Sequence, residues 1–110
     1  MNKMDENIVK ACIDACLQCA AACYHCAGMC LREEDAAHMT RCIRLDLECA
    51  ELCHTAARWM ALGSDGIEDI CRLCAQACRA CAEECGKHAQ AHCRACAQAC
   101  SACALTCENM

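Results

Sequence analysis

Cysteines at helical spacing are the most informative feature of this 110-residue sequence, which contains nineteen of them. In helix-length segments they recur at alternating steps of three and four residues, which is the a/d spacing of a heptad and puts the sulfurs on one stripe of an α-helix. A leucine stripe packs helices together, whereas a thiol stripe offers soft ligands to metal ions. The candidate metal ligands are Cys12, Cys16, Cys19, Cys23, Cys26, Cys30, Cys42, Cys49, Cys53, Cys71, Cys74, Cys78, Cys81, Cys85, Cys93, Cys96, Cys100, Cys103 and Cys107.

The arrangement of the thiols favours Cu(I). In a zinc knuckle or a ferredoxin loop the backbone bends so that four thiolates converge on one centre, whereas a helix lays thiols in a row where neighbours clasp an ion from two sides. Two thiolates suit Cu(I), and zinc requires four ligands in a tetrahedron. One Cu(I) per thiolate also leaves the core neutral, whereas Zn²⁺ on four thiolates leaves two buried negative charges at each site.

Other readings of the thiols are less consistent with the spacing. A zinc or cadmium buffer is the main alternative, and an Fe–S electron carrier is a weaker one, because Cys71-x-x-Cys74-x-x-x-Cys78-x-x-Cys81 lacks the ferredoxin order and its proline. Disulfides are disfavoured because Cβ atoms on one helix face lie about 5–6 Å apart and a disulfide needs about 3.8 Å. No arrangement of nucleophile and base can be inferred, so we do not expect an enzyme.

Four helices must position these thiols. The chain has no proline and is rich in alanine, and the predicted helices run from about Asp5 to Leu31, from Ala36 to Leu62, from the loop after Gly63 to Gly86, and from Ala89 to Asn109. Asp35 is the expected N-cap of the second helix, and Ser64 or Asp65 that of the third. Short connections favour antiparallel neighbours, so the predicted fold is an all-α, up-down-up-down four-helix bundle with a cysteine-lined core, forming one domain over residues 1–110.

One acidic residue and several weaker ligands interrupt or extend the thiol stripes. Asp46 takes a thiol position in the second helix, where it either pairs with Arg44 or Arg72 at the bundle edge or faces the core as a metal ligand or hydrogen-bonding group. One end of an antiparallel bundle would collect imidazoles and thioethers that bind Cu(I) more weakly than thiolates and could pass it inward. This end contains Met29, Cys30, His38, Met39, Cys42, Cys85, His88, His92 and Cys93, and His88 and His92 are its candidate nitrogen ligands.

Charge and hydropathy limit the partners. The net charge of −5 and the absence of a Lys/Arg run argue against nucleic acid. The sequence has no apolar run of membrane-spanning length, and acidic residues stand where a secretory signal would need apolar ones. We therefore expect a cytoplasmic protein with reduced thiols, whose partners are copper ions and a copper chaperone as their donor.

Two motifs, together with the thiol stripes, resemble the bacterial cytosolic copper storage proteins over essentially the whole chain. They are Cys42-Ile43-Arg44-Leu45-Asp46-x-Glu48-Cys49 and Glu84-Cys85-Gly86-Lys87-His88-x-x-x-His92-Cys93. The resemblance implies Cu(I) held by thiolates in a bundle that assembles as a homotetramer. It also implies that Asp46 and His88 contribute where thiolates alone do not complete a site.

Overall fold

Four antiparallel helices form the protein, as seen in a computed structural model that describes residues 5–110. They are α1 (Glu6–Leu31), α2 (Thr40–Leu62), α3 (Ile67–Cys85) and α4 (Ala91–Glu108), with a short 3-10 helix (Ala36–Met39) before α2. Each helix packs beside two others, in the cyclic order α1, α2, α3, α4. The bundle measures 52 × 17 × 17 Å, and the predicted all-α, four-helix fold is confirmed.

The helix ends follow capping chemistry at two positions. The Asp5 side chain accepts a hydrogen bond of 2.7 Å from the Asn7 N–H, so Asp5 is the N-cap of α1 and precedes the helix. Gly63 ends α2 in the left-handed conformation with φ 70°, where a residue without a Cβ is favoured. The predicted end of the second helix at Leu62 is therefore confirmed.

The other predicted ends need correction. Asp35 makes no capping hydrogen bond because its side chain contacts His38 instead, and the predicted first turn of the second helix is the 3-10 helix. Neither Ser64 nor Asp65 caps α3: Gly66 holds that position, and its N–H donates to Ser64 Oγ at 3.0 Å. The third helix ends one residue before Gly86, and the fourth spans Ala91–Glu108 instead of 89–109.

Small side chains fill the interior. The buried residues are mostly cysteine and alanine, with a few larger apolar ones: Met39 near one end, Met60, Ile67 and Ile70 near the other, and Leu45 on α2. Since neither thiols nor methyl groups need much room, the four backbones can enclose a narrow column of sulfur. No helix within residues 5–110 is long and apolar enough to cross a bilayer.

Candidate metal centre

All nineteen cysteines face the interior, as the heptad spacing predicts. None is more than 3% exposed, and none is in a disulfide. Sulfurs that neighbour one another across helices lie 3.4 Å apart at the closest, between Cys42 and Cys85. That separation exceeds the S–S bond of about 2.05 Å, so the thiols remain separate ligands.

The sulfurs form one continuous column. At mid-length each helix contributes one thiol to a common layer, in which Cys19 Sγ lies 3.8 Å from Cys49, 4.0 Å from Cys78 and 3.6 Å from Cys100. At one end Cys107 Sγ lies 3.8 Å from Cys12. At the other end Cys93 lies 3.9 Å from Cys30, and similar contacts join the layers between. We call this set of nineteen sulfurs the thiol column.

Groups of four thiols within the column are close enough to share an ion, and the groups overlap. In each group the four sulfurs lie within 4.8 Å of one another, and Cys53 and Cys103 belong to two of them. Four-ligand ions therefore cannot occupy all the groups at once without bridging sulfurs. The groups include Cys16/Cys53/Cys74/Cys103, Cys19/Cys53/Cys78/Cys103, Cys19/Cys23/Cys49/Cys100, Cys23/Cys81/Cys96/Cys100 and Cys26/Cys30/Cys42/Cys93.

At the end of the column that contains Cys30 and Cys93, burial keeps these two thiols protonated in the absence of metal. Burial, together with the charge of a Cys42 thiolate, raises the pKa of Cys93 to about 11. The pKa of Cys30 is raised for the same two reasons. Because a metal binds the thiolate, an ion arriving at this end must displace protons.

Asp46 lies inside the column and not at its edge. Its side chain is fully buried, and its Oδ1 accepts hydrogen bonds from the thiols of Cys81 at 3.2 Å, Cys85 at 3.3 Å and Cys96 at 3.3 Å. Burial, together with thiolate charges on Cys96 and Cys81, raises its pKa from 3.8 to about 10. No arginine pairs with Asp46 in the described part of the chain, so its position favours the core alternative over an ion pair with Arg44 or Arg72.

His92 joins the column at the end that the sequence associates with weak ligands. Its Nδ1 lies 3.5 Å from Cys93 Sγ, 3.6 Å from Cys26 Sγ and 4.0 Å from Cys30 Sγ. Its Nε2 lies 3.0 Å from Glu33 Oε1. The structure thus gives one of the two candidate histidines a position beside a four-thiol group.

The second candidate histidine has different partners. His88 Nε2 lies 3.0 Å from Glu84 Oε2, and no thiol is within hydrogen-bonding distance of His88 in the described chain. His38 points outward to Asp35 with 81% of its side chain exposed. Of the thioethers at this end, Met39 is buried and Met29 partly buried. The predicted end therefore exists, but only His92 among its imidazoles meets the sulfurs.

Sequence reasoning assigned no role to Glu33 or Glu84, the two carboxylates that contact these histidines. The signal for Glu84 is its i,i+4 spacing from His88. Glu33 gives no such signal, because it lies in the turn after α1 and reaches a residue 59 positions later.

Comparisons with known proteins agree with this geometry. The family model described as copper storage protein matches residues 5–110. A cysteine-rich protein of Bacillus subtilis (strain 168), described as uncharacterized, is 49% identical over 87 residues, which cover 79% of this chain and 81% of that protein.

Two solved structures are similar over nearly the whole chain. The Cu(I)-bound copper storage protein BsCsp3 superposes with a TM-score of 0.90 at 48% identity, covering 94% of this chain and 97% of that one. The copper storage protein Ccsp from Streptomyces lividans, loaded with 10 copper equivalents, superposes with a TM-score of 0.92 at 39% identity, covering 96% of this chain and 84% of that one.

Proposed function

We propose that this chain, which belongs to the copper storage protein family, stores and sequesters Cu(I) in the cytoplasm at about one ion per cysteine. The observation that carries the proposal is the thiol column, in which nineteen thiols are buried and overlapping groups of four lie close enough to share an ion. Copper is also what two similar structures contain by their descriptions, one as a Cu(I)-bound form and the other as a form loaded with 10 copper equivalents.

Because the thiols of the column are contiguous, they are better suited to a monovalent ion than to a divalent one. A single four-thiol group would suit zinc, since a tetrahedron with Zn–S bonds of about 2.3 Å has edges near 3.8 Å, close to the observed S–S distances. Filling the whole column in that way fails because adjacent groups share sulfurs and each four-thiolate Zn²⁺ site keeps two negative charges in a dry core. Cu(I) ions that bridge neighbouring thiolates neutralise them one by one.

We assign the metal-ligand role to all nineteen cysteines, to Asp46 and to His92. Asp46 supports the assignment because its carboxylate oxygen already faces three thiols, and His92 because its Nδ1 faces three others. His88 would become a ligand only after leaving Glu84, so we place it beside the access route and outside the resting column. With the potential nucleophiles used as ligands, we propose storage without catalysis.

Exposed apolar side chains support assembly into a homotetramer. Leu17, Tyr24 and Leu31 on α1 are 46%, 45% and 65% exposed, and Leu47 and Trp59 on α2 are 47% and 38% exposed. Apolar side chains that remain exposed to water do not stabilise a monomer. Packing the α1 and α2 faces of several copies against one another would bury them. A copper chaperone delivers Cu(I) to the tetramer. The ion exchanges its chaperone ligands for those of this protein at the end of the bundle that contains His92.

A titration tests the proposal. Reduced, metal-free protein is loaded with Cu(I) against a chelator of known affinity, and bound metal is counted by native mass spectrometry. We expect uptake of about nineteen ions per chain, whereas isolated four-thiolate sites would hold about four or five. Saturation at the lower number, or displacement of bound Cu(I) by equimolar Zn²⁺, would contradict storage of Cu(I).

A further inference from the structure

Glu33 connects two segments that are distant in the sequence at the His92 end of the bundle. It follows α1 in the turn that leads to the 3-10 helix, and its Oε1 lies 3.0 Å from Nε2 of His92, which is in the first turn of α4. The histidine side chain is 9% exposed and the glutamate 31%. This contact is therefore partly shielded from water, which makes the hydrogen bond stronger than a surface one.

The hydrogen bond determines which nitrogen of His92 faces the thiols. A neutral imidazole carries one proton, and the carboxylate of Glu33 holds that proton on Nε2, where it is donated. Nδ1 then presents its lone pair to Cys93, Cys26 and Cys30 at 3.5, 3.6 and 4.0 Å. These three thiols and Nδ1 are soft or borderline ligands for Cu(I), and they are already gathered around one point.

We propose that Glu33 is a positioning residue that holds His92 as the nitrogen ligand of the outermost copper site, so that an arriving Cu(I) meets Nδ1 before it moves into the thiol column. The inference rests on the proposed function. No electron is transferred: Nδ1 donates its lone pair to Cu(I), and each thiol that then binds the ion releases its proton to water. A carboxylate behind a metal-bound histidine commonly fixes the ring and raises its basicity in this way.

A carboxylate partner alone does not position a histidine as a copper ligand, as the neighbouring His88 shows. His88 also lies 3.0 Å from a glutamate, Glu84, but that carboxylate is approached by Arg41 at 3.3 Å and by Lys87 at 3.7 Å. Two cations thus compete for the charge of Glu84, whereas His92 is the sole ionic partner of Glu33 within the described residues. Only His92 combines a carboxylate on one nitrogen with thiols at the other.

The test uses the full-length, reduced, metal-free chain with Glu33→Ala, Glu33→Gln and His92→Ala. Glu34→Ala is the matched control, because Glu34 is an exposed acid in the same turn with no hydrogen bond or ion pair in the described chain. Far-UV circular dichroism verifies folding. Stopped-flow mixing with sub-stoichiometric, chelator-buffered Cu(I) then measures the uptake rate, and ¹⁵N–¹H spectra of the imidazoles report the protonated nitrogen of His92 before copper is added.

The expected results separate positioning from general destabilisation. Loss of a carboxylate behind a histidine ligand commonly weakens metal binding about 10–100-fold, so Glu33→Ala should slow uptake about tenfold and His92→Ala by as much or more. A double variant that combines Glu33→Ala with His92→Ala should be no slower than His92→Ala alone. Glu33→Gln should stay within about twofold of wild type, because its amide oxygen accepts the same hydrogen bond. The spectra should show the proton on Nε2 in wild type and in the Gln variant, and an averaged signal in the Ala variant.

Wild-type uptake rates in Glu33→Ala, or Nδ1-protonated His92 in the wild type, would overturn the positioning role. Equal slowing by Glu34→Ala would do so too, by making the effect one of surface charge. The final copper count is measured on every variant and should stay near one per cysteine. A wild type that binds only four or five ions would refute the storage function, whereas normal capacity with a Glu33-independent rate would refute only the role of Glu33.

Discussion

The carboxyl of Asp46 should make the metal-free bundle less stable as the pH rises. It is fully buried among thiols, and burial raises its pKa from 3.8 to about 10. In the unfolded chain its pKa is about 3.9. Between these two values the folded state holds a proton that the unfolded state has released, so the contribution of Asp46 to stability is fully present below about pH 4 and is lost progressively up to about pH 10.

The Asp46→Asn variant removes this dependence while keeping the shape of the side chain. Each pH unit in the window costs the wild type about 1.4 kcal/mol of unfolding free energy, which amounts to about 4 kcal/mol at pH 7. The buried amide has N–H groups without strong acceptors, which costs roughly 1–3 kcal/mol. We therefore expect the metal-free variant to be more stable than wild type at pH 7 by about 1–3 kcal/mol, with a larger gap at pH 8 than at pH 5.

Urea denaturation of reduced, chelated protein, followed by circular dichroism at pH 5, 6, 7 and 8, measures both effects. The difference between the two proteins isolates Asp46, because both contain the same thiols and histidines. Asp14→Asn, a change at an exposed acid on α1, should follow the wild-type curve at every pH. If the Asp46→Asn and wild-type curves run parallel from pH 5 to pH 8, burial does not keep this carboxyl protonated.

Three further outcomes follow from the thiol column and its surroundings. The first Cu(I) ions bound at the His92 end should release protons, detectable with a pH indicator in weak buffer, because the buried thiols of Cys30 and Cys93 have raised pKa values; binding there without proton release would show preformed thiolates. Cys100→Ala should lower the final copper count by one or two without slowing uptake, since its sulfur lies 3.6 Å from that of Cys19 at mid-length, and slower uptake would place the access route there. Gly66→Ala should destabilise the bundle by about 1–2 kcal/mol in urea denaturation, because the new Cβ would stand 2.6 Å from Trp59 Cζ3. Gly28→Ala, where the new Cβ meets open space, should stabilise α1 by about 0.5–1 kcal/mol. Equal effects of the two substitutions would contradict the close packing at Trp59.

The thiol stripes could be predicted from the sequence because periodicity inside a helix depends on local geometry alone. A residue three or four positions from Cys19 or Cys78 lies on the same face wherever the helix is placed. Once four such stripes are joined by short turns, burying them together is the arrangement that removes the most apolar surface from water. Asp46 falls in the column for the same reason, since its position in α2 continues the spacing of Cys42 and Cys49.

The helix starts could not be predicted with the same accuracy, because capping depends on competing local hydrogen bonds. The oxygens of Asp35 and Ser64 were expected to accept from the first turns of α2 and α3. Asp35 instead contacts His38, and Ser64 accepts from the Gly66 N–H, so each oxygen finds a partner before the helix begins. These choices differ by amounts close to 1 kcal/mol, which a residue-type preference does not resolve.

The relative positions of His88 and His92 show where periodicity stops being informative. Extending the three–four spacing from Cys85 puts His88 on the thiol stripe, but α3 ends at Cys85 and residues 86–90 are not helical, so the extension crosses a change of direction. His92 belongs to the next helix and precedes Cys93, and its place is set by α4 packing against α1. The Glu33 contact comes from the same packing, since α1 must end level with the start of α4 for the two side chains to meet. Ligands within a helix thus follow from spacing, whereas ligands at a bundle end depend on how separate helices are aligned. Lengthening the turn between α3 and α4 by a residue should therefore move His88, which lies in that turn, while leaving His92, Cys96 and Cys100 in place on α4.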